Sequence, residues 1–318
     1  MEQTQKPLSR REALKLSLLA AAGFVFGGVA RGAPAARHLP LITKPIPSSG
    51  ERIPVVGLGT NRYGAQTPEE LASRREVLRR LSRLGGSVVD TAPSYGGGRA
   101  EGVIGRLVAE IGNRDALFIA TKVTARGDDA ESGICMLEES FRRLRTDRIE
   151  LMQVHNLIGT AVLLPVLREW KRAGRFRYIG ITTSTEAQYR EMEAIMRKER
   201  LDFIQVDYSA INRAAARRIL PLAAERGMAV LNNEPFGGRR GNVLPVVARR
   251  PLPDLAGEIG CSSWAQLCLK YNVSHPAITC AIPGTTRPEH IEDNLAAARG
   301  TLPDDAMRKR IERIFDAL

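Results

Sequence analysis

The stretch VVDTAPSYGGGRAEGVIG, residues 88–105, decides how the chain is to be read. A short apolar β-like run ends in an acid, Asp90. A Pro/Ser/Gly-rich loop then presents Tyr95, and a helix-period segment follows. Strand, loop and helix in that order make one βα unit, so the next question is whether the unit repeats.

It repeats along the chain. Apolar strand-like runs stand at VVGLG (55–59), SVVD (87–90), LFIAT (117–121), IELMQVH (149–155), RYIGIT (177–182), FIQVD (203–207), MAVLN (228–232) and ITCAI (278–282). Segments of helical period lie between them. Thr67-Pro68-Glu69-Glu70 reads as a capping box with proline at the first helical position, and Gly85-Gly86 closes that helix. Ile134, Leu137, Phe141 and Leu144 form an apolar stripe. Thr286-Arg287-Pro288-Glu289 reads as the cap of the last repeat helix. Eight strands, each followed by a helix, predict a (β/α)8 TIM barrel. An N-terminal β-hairpin in LITKPIPSSGERIP precedes it, and an extra C-terminal helix follows. No G-x-G-x-x-G follows the first strand, which argues against an open dinucleotide-binding sheet.

Residues 9–15 (SRREALK) and the apolar run LSLLAAAGFVFGGVA resemble the twin-arginine export signals of bacteria, with Ala33-Pro34-Ala35 as a cleavage site. The division expected is therefore a signal peptide over 1–35 and one barrel domain over 36–318. The Tat translocase is the expected partner during export, and the location is periplasmic or secreted. About 15 apolar residues are too few for a stable membrane anchor. The formal charge of +12 suggests a polyanion partner, but only eight of the 47 basic residues are lysine and the arginines are spread along the chain. Nucleic-acid binding is not expected. The four cysteines form no CxxC and have no histidine at zinc-ligand spacing, so no metal is expected.

In an eight-fold barrel chemistry gathers at the C-terminal strand ends. There the sequence places Asp90, Tyr95 in the loop beyond it, Lys122 after LFIAT, and His155. An ammonium beside a phenol favours phenolate and lowers its pKa, a carboxylate holds the ammonium, and a neutral imidazole orients a carbonyl oxygen. Such a set suits protonating a carbonyl as hydride reaches its carbon.

With these residues on the page, the chain resembles the aldo/keto reductase family from about residue 52 to 298. The resemblance rests on GLGT (57–60), VDTAPSYG (89–96), TK (121–122), SFRRLRTDRIELMQVHN (140–156), GRFRYIGIT (174–182) and IPGTTRPEHIEDNL (282–295). It implies Asp90, Tyr95, Lys122 and His155 as the catalytic tetrad, with Tyr95 the general acid, and reduction of a small-molecule aldehyde or ketone. It also implies NADPH, with NADH as the alternative, bound across the barrel mouth. Gly59, Thr60 and Asn61 would lie under the nicotinamide, and Thr182, Thr183 and Gln205 at the carboxamide. Phe236 and Gly237 would cover the pyrophosphate. Thr285, Thr286, Arg287, His290 and Asn294 would surround the adenosine phosphate. Asn233 stands where the family often has an aromatic that stacks on the nicotinamide, and Gly284 and His290 replace basic residues many members carry. The glycine-rich GGRRGN (237–242) implies a mobile loop over the cofactor, and the short C-terminus an open pocket. The other function carried by the resemblance is an NADP(H)-binding regulatory or partner-binding barrel with little turnover.

Overall fold

The structure, a computed structural model, describes residues 39–238 and 241–318. The export signal expected over 1–35, and Arg239 and Arg240 of the glycine-rich loop, lie outside the described residues.

An antiparallel hairpin comes first, β1 (Thr43–Pro45) with β2 (Arg52–Pro54). Eight parallel strands follow: β3 (Leu58–Gly59), β4 (Val88–Asp90), β5 (Phe118–Val123), β6 (Ile149–Val154), β7 (Phe176–Thr182), β8 (Phe203–Asp207), β9 (Ala229–Asn233) and β10 (Cys280–Ala281). Each pairs with its successor in the chain. The sheet curls until its ends meet. Gly57 N donates to Ala281 O at 2.8 Å, Ala281 N to Val55 O at 2.9 Å, and Gly59 N to Pro283 O at 3.0 Å. The architecture is the (β/α)8 barrel the alternation predicts.

The helices around it are α1 (Pro68–Arg83), α2 (Arg99–Ile111), α3 (Ala130–Leu144), α4 (Thr160–Arg172), α5 (Tyr189–Lys198), α6 (Ile219–Glu225), α7 (Val243–Val247), α8 (Leu255–Glu258), α9 (Trp264–Ser274), α10 (Pro288–Ala296) and the terminal α11 (Asp305–Asp316). Among the described residues no helix is long and apolar enough to cross a membrane.

Because strand side chains alternate, one apolar set packs outward on the helices and a second fills the barrel. Val89, Ile119, Val154, Ile179 and Val230 belong to the outer core. Val88, Phe118, Ala120, Leu151, Phe203 and Leu231 belong to the inner one, and Ile46 and Ile53 of the hairpin segment join it. The same alternation aims the chemistry. Asp90 follows Val88, Lys122 follows Ala120, and His155 lies four residues beyond Leu151, so all three share the inward parity of the core beneath them.

The strand boundaries and caps differ in detail from the sequence reading. The strand expected over 55–59 is regular only at Leu58–Gly59, with Val56 bridging Ala281. The strand expected over 278–282 is regular only at Cys280–Ala281. Thr67 accepts from Glu70 N at 3.2 Å, while the Glu70 carboxylate takes Gln66 N at 2.7 Å. The last repeat helix has Arg287 at its N-cap with no side-chain cap, so Thr286 does not cap it; Pro288 supplies the helical start.

Candidate active site

The loop that carries Tyr95 is shaped by glycine. Gly96, Gly97 and Gly98 have φ of 61°, 65° and 87°, a left-handed run that other residues adopt only with strain. It reverses the chain between Ala92 O, which accepts from Tyr95 N at 3.1 Å, and α2, whose first turn is tied back by Ala100 N to Tyr95 O at 3.3 Å. Tyr95 is thereby folded over the barrel axis.

Beneath it Lys122 is 1% exposed. Its ammonium donates to Asp90 Oδ1 at 2.6 Å and Thr91 O at 2.8 Å, and stands 3.4 Å from Tyr95 Oη. The other Asp90 oxygen accepts from Gln205 Nε2 at 2.8 Å, and the Asp90 carbonyl from Thr60 Oγ1 at 2.8 Å. A buried charge pair is tolerable only when paired and hydrogen-bonded in this way. His155 meets Tyr95 edge-on, ring centroids 6.2 Å apart and planes at 85°. Its backbone is fixed from beyond the strand end. Asn156, with φ of 51°, donates N–H to Thr182 Oγ1 at 3.0 Å and accepts from Gln188 Nε2 at 2.8 Å.

The electrostatics follow from burial. For Lys122 burial opposes the charge, yet Asp90 and then Tyr95 outweigh it and the pKa is raised, so the ammonium stays charged. Burial lowers the pKa of His155 to about 3, with Lys122 adding to the effect, so the imidazole is neutral near pH 7. Tyr95 corrects the sequence reading. The ammonium does pull its pKa down, but burial is the larger influence and the net shift is upward. The phenol therefore keeps its proton at neutral pH.

A cavity of about 520 Å³ opens above these residues. Asp90, Tyr95 and His155 line it, and so do Gly59, Thr60, Asn61, Thr182, Gln205, Asn233 and Phe236. An adjoining hollow of about 180 Å³ shares Gly59, Asn61 and Gly284 with it and adds Thr285, Thr286, Arg287 and His290. Three expected contacts lie off both walls. Thr183 is buried and its hydroxyl donates to Gln188 Oε1 at 2.6 Å, Asn294 is buried on α10, and Gly238 rather than Gly237 reaches the cavity. Asn233 donates from Nδ2 to Thr183 O at 3.0 Å.

Residues the sequence reading passed over also line the site: Arg62, Asn156, Ser184, Glu234 and Asn242. Each is one to five residues from a named position, and the strand-end rule would have found the first four had it been extended past the first loop residue. Glu234 adds a left-handed φ of 47°, an uncommon conformation that clusters at functional sites. Among the described residues no group of His, Cys, Asp and Glu is placed to hold a metal ion. The arrangement can hold a neutral proton donor over a fixed cation, beside a neutral imidazole, next to a hollow rich in anion-binding groups.

The family model described as "Aldo/keto reductase family" matches residues 55–314. The aldo-keto reductase YhdN of Bacillus subtilis is 30% identical over 191 residues, spanning 55% of this chain and 56% of that relative, little over half its length. The uncharacterized oxidoreductase YrpG of the same organism is 27% identical over 304 residues, 82% of this chain and 92% of the relative. The crystal structure of an aldo/keto reductase from Klebsiella pneumoniae, in complex with NADP and acetate, superposes with a TM-score of 0.70 at 23% identity, covering 84% of this chain and 93% of that one.

Proposed function

As the chain belongs to the aldo/keto reductase family, we propose that it reduces aldehyde or ketone carbonyls to alcohols with NADPH, Tyr95 giving the proton. The observation that carries this reading is the packing of Tyr95 over Lys122, whose ammonium lies 3.4 Å from the phenol oxygen and 2.6 Å from Asp90. An acid must arrive protonated, and burial keeps Tyr95 so. Once the proton has moved to the carbonyl oxygen, the phenolate left behind faces an ammonium already fixed in place. Preorganised charge of that kind lowers the barrier without reorganisation during the reaction. His155, neutral, offers a ring nitrogen to the carbonyl and orients it. Gln205 and Thr60 hold Asp90, and through it Lys122, in one geometry.

The residues present fit a pyridine dinucleotide. The smaller hollow carries two threonines, His290 and Arg287 at the N-terminus of α10, where backbone N–H groups and the helix dipole favour a phosphate. In the larger cavity Asn233 Oδ1 is buried without a partner, an acceptor suited to an amide N–H. A Cβ on Gly59 would fall 2.6 Å from Ile282 O, so glycine is needed for the close backbone approach of Gly59 and the segment 282–284, which both border the hollows. When bound, NADPH supplies the hydride. The NADP in the Klebsiella pneumoniae relative supports the same choice.

The test is NADPH oxidation by residues 36–318 against a panel of aldehydes and ketones, with binding titrations of NADPH and NADH. Turnover with NADPH, and an Arg287→Ala variant that loses about tenfold in NADPH affinity while NADH is unaffected, is the expected result. Tight NADPH binding with no turnover on any carbonyl would instead favour the regulatory or partner-binding barrel.

We also propose that the chain is exported through the twin-arginine translocase, from the Arg10-Arg11 pair and the short apolar run after it. A reporter fused to residues 1–35 should reach the periplasm, and replacing both arginines by lysine should stop it. Export unchanged by that replacement would sink the idea.

A further inference from the structure

The flank of the barrel between α4 and α5, and the face opposite the mouth below it, carry hollows that the proposed chemistry does not use. Between α4 and α5 lies a hollow of about 350 Å³ walled by Ala161, Leu164, Pro165, Ala194 and Ile195. It runs to Arg168, which also lines a cleft of about 1070 Å³ beneath the segments that enter β8 and β9. The two hollows are neighbours with Arg168 as their shared wall.

Their chemistry differs. The upper part is mainly aliphatic, with Thr160, Glu191, Lys198 and the Arg168–Glu199 pair also in its wall. The lower cleft carries five cations: Arg168, Lys171, Arg172, Arg200 and Arg226. Arg168 is paired with Glu199, and Lys171 with Asp202 at 2.6 Å. Among the described residues, Arg172, Arg200 and Arg226 are exposed and no carboxylate pairs with them. Three uncompensated guanidiniums at the end of an apolar trough suit a ligand with one anionic end and one apolar tail. The trough is recessed. Among the described residues the exposed large hydrophobics, Leu39, Ile158, Val246 and Leu318, are not among its walls, so no described apolar side chain of the trough stands out from it. That shape takes a single slender chain lying along it.

We propose that this groove is a binding site for an anionic single-chain amphiphile, its charged head on Arg172, Arg200 and Arg226 and its alkyl tail between α4 and α5. Guanidiniums are suited to such heads because their paired N–H groups match a carboxylate or phosphate edge. The tail gains affinity with each methylene it removes from water. The site is separate from the barrel mouth and does not depend on the reductase reading.

The experiment is calorimetric titration of the protein with sodium dodecanoate below its micelle concentration. Saturable binding of one dodecanoate per chain is expected, about tenfold weaker for decanoate, which has two fewer methylenes. Arg200→Glu with Arg226→Glu, which removes the head contacts, and Ala194→Trp, which fills the trough from an exposed position, should each weaken binding about tenfold or more. Dodecyltrimethylammonium should not bind, and added NADPH should leave the dodecanoate affinity unchanged. Absence of dodecanoate binding, equal affinity in the variants, or competition with NADPH would each overturn the proposal. So would arginine-dependent sedimentation with anionic phospholipid vesicles in a protein that ignores monomeric dodecanoate, which would make the face a membrane-docking surface. The variants are compared with wild type by thermal unfolding, and Arg172→Gln, at an exposed position, gives a milder removal of one head contact that should still weaken dodecanoate.

Discussion

Replacing Lys122 by methionine removes a charge while keeping the length and bulk of the side chain. In the native barrel Lys122 and Asp90 are 1% and 2% exposed, and their 2.6 Å contact is the closest in the site. The variant leaves the Asp90 carboxylate with Gln205 Nε2 at 2.8 Å as its one side-chain donor. Breaking a buried pair by removing one partner costs about 3–5 kcal/mol, because the remaining charge is stranded in a poorly polarisable interior. Removing both charges costs much less, since the desolvation of each is regained. The assay is urea unfolding of wild type, Lys122→Met, Asp90→Asn and the double variant, read as midpoints at constant slope. Each single change is expected to cost several kcal/mol and the double clearly less than their sum. The pH dependence follows from the raised pKa of Lys122. A base whose folded pKa exceeds its unfolded value near 10.5 contributes stability fully below that value and loses it as pH rises through the folded one. Wild type should therefore shed stability above about pH 10.5 through this group, and Lys122→Met should lack that component. Midpoints for Lys122→Met within about 1 kcal/mol of wild type, or strictly additive singles, would refute the buried-pair reasoning.

Other expectations can be checked with the same methods. Gly105→Ala on α2 improves helix propensity by about 1 kcal/mol, yet its Cβ would fall 2.2 Å from the backbone oxygen of Arg143. The clash should win, and thermal unfolding should show a net loss; a stabilised variant would mean α2 can shift off α3. Glu101 is fully buried, with Thr121 Oγ1 at 2.7 Å and Arg143 Nε at 2.8 Å on its two oxygens. Glu101→Ala strands the buried Thr121 hydroxyl and takes from Arg143 one of two carboxylates, Glu139 Oε2 remaining at 3.2 Å, and should cost about 1–3 kcal/mol, whereas an unchanged unfolding midpoint would show the cluster to be dispensable. His155, with its pKa lowered to about 3, resists protonation in the fold. The unfolded chain binds that proton first, so stability should fall as pH drops from about 6.5 towards 3. His155→Gln should flatten part of that slope, leaving the part due to His275, whose pKa is lowered to about 4. An identical acid profile in the variant would show His155 to be solvated.

The barrel was legible because its signal repeats. Eight apolar runs with helical segments between them leave few architectures, and inward parity then fixes which strand-end side chains meet. Asp90, Lys122 and His155 could be named because they stand at strand ends, and Tyr95 because it follows in the loop after the second strand, the family resemblance grouping all four. Other contacts were invisible because they depend on geometry between distant segments. Gln205 lies 115 positions from Asp90, and nothing local predicts that its amide takes the second carboxylate oxygen. The direction of the Tyr95 shift needed the burial of the ring as well as its neighbours. Strand ends were misjudged where a single bridge, Val56 to Ala281, takes the place of a regular ladder. Thr183 and Asn294 lie off the cavity walls because their side chains face into packed surroundings, which spacing alone does not register.

The central claim is that Tyr95 donates the proton. Its hydroxyl has one long contact, 3.4 Å to Lys122, so Tyr95→Phe should leave the fold intact. The measurement is steady-state NADPH oxidation with the best carbonyl substrate by wild type and Tyr95→Phe, alongside NADPH titration and thermal unfolding of both. A fall in kcat of about 10²–10⁴ with cofactor affinity and melting unchanged is the predicted result. Turnover within about threefold of wild type would contradict it and move the proton donor to another group in the cavity.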